Sequence, residues 1–144
     1  MTLKLKIKRL SGEAKLPNYH YEGDAALNLY SVEDVLLKPN EQVSVKTGIA
    51  MIIPEGHTGL IWDRSGLSIK HGIKTLGGVI DAGYRGEVAV GFMNISKNDY
   101  QIEKGDKIAQ IIIQRFENVY VEEIDEIEDR DTHRGEKGFG SSGK

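Results

Sequence analysis

The chain has 144 residues, 39% of them hydrophobic and 28% charged, and a formal net charge of −3 with its histidines neutral. That is the length of one domain able to bury a core, and its mild acidity provides no global basic field to gather nucleic acid. There is no cysteine, which excludes disulfides, thiolate metal sites and cysteine nucleophiles and fits a reducing, cytoplasmic setting.

The first ten residues, MTLKLKIKRL, alternate apolar and basic side chains. They lack the apolar stretch of a signal peptide and read as a strand through Leu3, Leu5 and Ile7. Period two continues along the chain. Val43 and Val45 alternate with polar residues ahead of Ile49 to Ile53, and Leu60 to Trp62, Val88 to Phe92 and Ile108 to Ile113 are further short strands. Val119, Val121 and Ile124 continue the pattern. Turn residues fall between these runs, at Pro39-Asn40, Pro54-Glu55-Gly56, Gly77-Gly78, Asp81-Ala82-Gly83, Lys97-Asn98-Asp99 and Lys104-Gly105-Asp106. The spacing predicts an all-β antiparallel sandwich or jelly roll. One short helix is expected over Leu67 to His71, ended by Gly72. No apolar run is long enough to span a bilayer, so no membrane partner is expected. The acidic run Glu122, Glu123, Asp125, Glu126, Glu128, Asp129 and Asp131 reads as a solvated connector. The body is expected to end near residue 128, with 129–144 forming an arm.

Four stretches carry residues suited to chemistry. Gln110 interrupts the apolar run Ile108 to Ile113; it is either a satisfied core amide or a side chain facing a polar cavity. In WDRSGLS, Trp62 to Ser68, Arg64 offers a fork for phosphate, and the backbone around Ser65 and Gly66 offers N–H groups. GGVIDAGYRGEV, Gly77 to Val88, reads as a hairpin in which Asp81 either caps its own turn or acts as a general base beside Tyr84. Near the end of the chain, RGEKGFGSSGK fits the spacing G-x-x-x-x-G-K over Gly138 to Lys144. A phosphate-binding loop also needs a following Ser or Thr and a helix, so the rest of such a site must come from elsewhere. The four histidines, His20, His57, His71 and His133, have no metal-ligand spacing.

The order of these stretches is more specific than any one of them. DAALNLYS (24–31), DRSGLS (63–68), GVIDAGYRGEV (78–88), GDKIAQI (105–111) and RGEKGFGSSG (134–143) closely resemble the five ordered motifs of the trimeric dUTP pyrophosphatase (dUTPase) family. The resemblance implies a distorted jelly-roll homotrimer that hydrolyses dUTP to dUMP and pyrophosphate with Mg²⁺. It also implies sites between subunits and a C-terminal arm from a third chain closing over each.

By that resemblance, Asp81 activates the attacking water and contacts the 3′-hydroxyl. Tyr84 packs under the sugar, and the backbone of Gly78, Val79 and Ile80 meets the uracil edge. Arg64, Ser65 and Gly66 bind phosphate, and Gln110 contacts the α-phosphate or the catalytic water. Arg134 binds the γ-phosphate, Phe139 stacks on uracil, and Gly140, Ser141 and Ser142 hold the terminal phosphates. The metal is held mainly by the substrate. Asn28 stands where the family has an aspartate, which puts that position's part in the metal–water shell in doubt. Asp63 stands where the family has a proline, and its charge is expected to face away from the phosphates. A related dCTP deaminase activity would need a glutamate on the strand Val88 to Phe92, which has none. A non-catalytic relative is favoured only by Asn28.

Overall fold

A computed structural model describes residues 3–127 and 132–143. Among them are eleven short strands and one turn of π-helix, and every strand pairing is antiparallel. The strands are β1 (Lys6–Arg9), β2 (Leu27–Tyr30), β3 (Val35–Leu37), β4 (Gln42–Lys46), β5 (Ile49–Ile52), β6 (His57–Trp62), β7 (Ile73–Leu76), β8 (Val79–Ile80), β9 (Ala89–Asn94), β10 (Tyr100–Ile102) and β11 (Lys107–Arg115). They form a distorted jelly roll of small sheets ordered β2-β11-β6-β8, β4-β9-β7, β1-β5 and β10-β3.

The core lies between the inward faces of these sheets. Phe92, Leu29, Leu37, Ile49, Ile73, Val45, Val90, Ile102, Ile108 and Ile111 are fully buried. On β9 the alternation is strict: Val90, Phe92 and Asn94 point inward. Asn94 is tolerated there because its amide donates to Leu37 O at 3.0 Å and Asn98 O at 2.7 Å, while its Oδ1 accepts from Ser96.

β11 is the longest strand, with nine residues, and pairs on both sides. A register shift between Lys107 and Ala109 lets Ile108 and Ala109 both be buried. Beyond it, alternation resumes. Ile111 faces the core, while Gln110 and Ile112 take the other face.

The short helix forms one residue earlier than its sequence signal, over Gly66–Lys70, with His71 as cap and Gly72 following at φ 67°. The sequence pattern did not single out β2, β3, β7 and β10, which have three or four residues each. Two expectations change. GGVIDAGYRGEV is no two-stranded hairpin: β8 pairs with β6, whereas β9 pairs with β4 and β7. The turn between them diverts the chain from one sheet to the other. Val119, Val121 and Ile124 lie in no strand and are exposed. Alternation makes a strand only where a ladder edge is available, and among the described residues none reaches them. Glu128, Asp129, Asp131 and Lys144, from the acidic run and the terminal glycine-rich spacing, lie outside the described residues.

Phe92 is the largest fully buried side chain. Phe92→Ala should cost about 3–5 kcal/mol of stability, read as a lower urea midpoint with an unchanged slope.

Candidate functional site

Pairing across three strands sets one row of side chains. Gln110 of β11 stands opposite Asn28 of β2 on one side and Trp62 of β6 on the other. These three border a cavity of about 600 Å³, together with Arg64, Ser65 and Gly66 from the turn after β6. Three separate stretches of sequence thus converge because their strands are neighbours in one sheet.

The two amides of the row are oriented alike. Asn28 is buried and donates Nδ2 to Asn18 O at 3.3 Å. Gln110 donates Nε2 to Asp63 O at 2.7 Å. Both side chains line the cavity, each with its NH₂ group held by a backbone carbonyl. Asn18 is itself held, by the Tyr30 hydroxyl donating to its Oδ1 at 2.5 Å. Gln110 is therefore both a satisfied amide and a cavity-facing one.

Arg64 donates to Lys107 O at 3.2 Å, so the guanidinium is braced against the start of β11. The helix begins directly after it, with Leu67 and Ser68 amides bonded to Arg64 O. Asp63 lines the same cavity, but its carboxylate is committed to β7: Oδ1 accepts the Thr75 amide at 2.7 Å and Oδ2 pairs with the Lys74 ammonium. Its charge is turned to those partners.

The remaining motif residues sit elsewhere. A second cavity, of about 240 Å³, is bordered by Ile61, Gly78, Val79, Asp81, Tyr84 and Glu87. Gly78 is required at its position. It has φ 115°, and a Cβ there would lie 2.8 Å from Ile61 O. The close approach lets Gly78 O accept the Ile61 amide at 2.8 Å. Asp81 opens a turn whose closing bond runs from the Tyr84 amide to Asp81 O at 3.0 Å, and its carboxylate is exposed. Tyr84 donates its hydroxyl to Glu87 O at 2.8 Å, which fixes the ring across the turn. Gly86 lies beneath that hydroxyl, where a Cβ would come within 2.5 Å.

The two groups are apart in one chain. Ile80 is level with Gly59, three rows along β6 from Trp62, and β8 is two strands from β11. At about 3.3 Å per row and 4.8 Å per strand, the backbones of Ile80 and Gln110 are roughly 14 Å apart. The third group, Arg134, Phe139, Gly140, Ser141 and Ser142, lies in an exposed run of tight turns. Arg134 donates to Lys137 O at 2.9 Å and Gly138 O at 3.2 Å, and the Phe139 ring is fully exposed.

Comparison with known proteins places this arrangement. The model of the dUTPase family matches residues 12–143. This chain belongs to the dUTPase family. It is 47% identical to a deoxyuridine 5′-triphosphate nucleotidohydrolase of Clostridium kluyveri, over 98% of this chain and 99% of the relative. It is 44% identical to the enzyme of that name from swinepox virus, over 99% of each. Its fold matches the Staphylococcus bacteriophage 80alpha dUTPase with dUPNHPP at a TM-score of 0.91 and 35% identity, over 99% of this chain and 100% of that one.

The sequence did not single out every residue at this dUTPase-family site. His20 and Asp24 border the larger cavity. His20 precedes the first motif by four residues and carries no metal-ligand spacing. Glu87 borders the smaller cavity, and its Oε2 is buried without a hydrogen-bond partner among the described residues. Among the described residues no group of three or more His, Asp or Glu side chains is placed to hold a metal, and no helix is long and apolar enough to cross a membrane.

Asp63 carries an electrostatic signature of its bonds. Burial pushes its pKa up, but the Lys74 ammonium and the Thr75 amide outweigh burial and hold it below the ordinary 3.8. A depressed carboxylate contributes stability that is fully present above its unfolded pKa and is lost as pH falls through its folded one. Unfolding free energy of wild type and Asp63→Asn, measured by denaturant at pH 6 and again below pH 3.8, should differ most at pH 6. The gap should close on acidification.

Proposed function

We propose that the chain is a dUTP diphosphatase that hydrolyses dUTP to dUMP and pyrophosphate in a homotrimer, at sites shared between subunits. The observation that carries this reading is the division of the motif residues between two separate cavities, with the backbones of Ile80 and Gln110 roughly 14 Å apart. Asp81 and Tyr84 border one; Arg64, Ser65 and Gln110 border the other. A nucleoside triphosphate needs a base subsite and a phosphate subsite side by side. Docking the Asp81 cavity of one copy against the Arg64 cavity of the next supplies both.

Gly78 lets its strand sit hard against Ile61, and in this reading the backbone of Gly78, Val79 and Ile80 meets the uracil edge and leaves no space for a 5-methyl group. Tyr84, anchored to Glu87 O, packs under the deoxyribose and leaves no room for a 2′-hydroxyl. Phosphates fall to Arg64, whose fork suits anionic oxygens, and to Ser65 and Gly66. Water adds to the α-phosphorus while the bond to the α–β bridging oxygen breaks, so pyrophosphate leaves opposite to the attack. Asp81 accepts the proton of that water, and the Gln110 amide oxygen orients it. General-base assistance of this kind is worth about 10²–10⁴-fold. Residues 129–144 act as an arm from a third chain. Arg134, Phe139, Gly140, Ser141 and Ser142 cover the nucleotide and exclude water.

Magnesium fits this donor set. A related phage φ11 dUTPase structure is described with a structural Mg(II) ion. The neutral oxygens of Asn28 and Gln110 suit the waters of a hydrated divalent ion whose direct ligands are phosphate oxygens. When bound, Mg²⁺ neutralises triphosphate charge. Asn28 would accept from such a water, with less attraction than a carboxylate would have.

Asp81→Asn should lower kcat at least 100-fold while dUTP still binds, because the base is lost and its hydrogen-bonding shape is kept. Arg64→Ala should be similarly weak for loss of phosphate binding. Co-refolding the two inactive variants tests the shared site: a trimer mixing them rebuilds complete sites, and activity should return to about a quarter of wild type. No recovery, with mixed trimers demonstrated by mass, would place each site within one chain. Separately, truncation after residue 129 should leave a folded assembly that turns over dUTP at least tenfold more slowly. Retained turnover would remove the arm from the mechanism.

A further inference from the structure

Asp63 is bonded both to Gln110 and, across the turn that carries Arg64, to a neighbouring sheet. Its carboxylate accepts the Thr75 amide at 2.7 Å and pairs with Lys74, both on β7, a strand of a different sheet. Its carbonyl oxygen accepts the Gln110 amide at 2.7 Å. Arg64 follows it directly, and the π-helix hangs from Arg64 O. The residue joins two sheets at the point where the chain leaves β6 for the turn.

We propose that Asp63 is a positioning residue of the site: through its carboxylate it ties the Arg64-Ser65-Gly66 turn to β7, and through its carbonyl it sets the Gln110 amide. The inference rests on the reading of this site as a dUTP diphosphatase. A carboxylate accepting a backbone N–H and an ammonium together is among the stronger side-chain anchors, and it is partly shielded from water here. The backbone of the same residue cannot shift without taking Arg64 and Gln110 with it. A displacement of about 1 Å at a reacting group costs about 100-fold in rate. A proline at this position would stiffen the backbone by its ring; Asp63 holds it by a tether across to the neighbouring sheet.

The test measures kcat and KM for dUTP in Asp63→Ala, Asp63→Asn and Lys74→Ala, well below each variant's melting temperature, with fold checked by circular dichroism. Asp63→Ala should raise KM and lower kcat, reducing kcat/KM at least tenfold, because phosphate grip and Gln110 both loosen. Asp63→Asn keeps an acceptor for the Thr75 amide and should recover most of the loss. Lys74→Ala should fall between wild type and Asp63→Ala. Adding Gln110→Ala to Asp63→Ala should cost less than the product of the two single effects, because Asp63 acts through Gln110. Wild-type kcat and KM in a folded Asp63→Ala protein, or strict multiplication in the double variant, would overturn the proposal. Absence of dUTP turnover in the wild type would instead remove the functional reading beneath it.

Discussion

The structure depends on one ladder, the double pairing of β11. Nine residues long and flanked by β2 and β6, this strand joins the first motif to the strand that leads into the turn carrying Arg64. Its inner face anchors the core through Ile108, Ala109 and Ile111. Its outer face presents Gln110 in register with Asn28 and Trp62. The bulge near its start determines which residues face which way. One residue more or less in that irregularity would turn Gln110 inward and Ile111 outward.

From that ladder the division of the site follows. β6 is shared: its Trp62 end belongs to the larger cavity, and its Gly59–Ile61 stretch receives β8 and the turn carrying Asp81. Both cavities are thus held on the same rigid sheet but cannot meet within it. A sheet of fixed strand spacing keeps them apart.

Several polar groups near the two cavities are held by named partners. Asn28 and Gln110 spend their N–H groups on backbone carbonyls, Tyr84 spends its hydroxyl on Glu87 O, and Asp63 spends its carboxylate on β7. Among the described residues, Arg64 brings a guanidinium braced on Lys107 O to the larger cavity. Preorganisation of this kind is what stabilises charge in a transition state without reorganisation during the reaction.

Much of this was open to a reader of the residues alone. Long alternating or apolar runs declared β4, β5, β6, β9 and β11, because burial on one face imposes a period of two. The five motifs declared the family, because the chemistry needs particular side chains in a particular order. Gln110 stood out as a polar residue within an apolar run. Short strands such as β3 and β10 were hidden, since three residues carry no period. The partner of β8 was hidden too, because a ladder joins residues distant in the chain and a glycine pair marks a turn without saying where the next strand goes. The alternation of Val119, Val121 and Ile124 pointed to a strand, yet pattern is only half of a strand; the other half is an edge. His20, Asp24 and Glu87 became site residues only once the sheet brought them to a cavity. Residue types and their spacing determined the class of fold and the kind of chemistry. Which oxygen faces a cavity, that Asp63 reaches across to β7, and that Asp81 and Gln110 lie on separate parts of one sheet were decided by tertiary pairing alone, because hydrogen-bond direction and strand neighbourhood are properties of space and not of order along the chain.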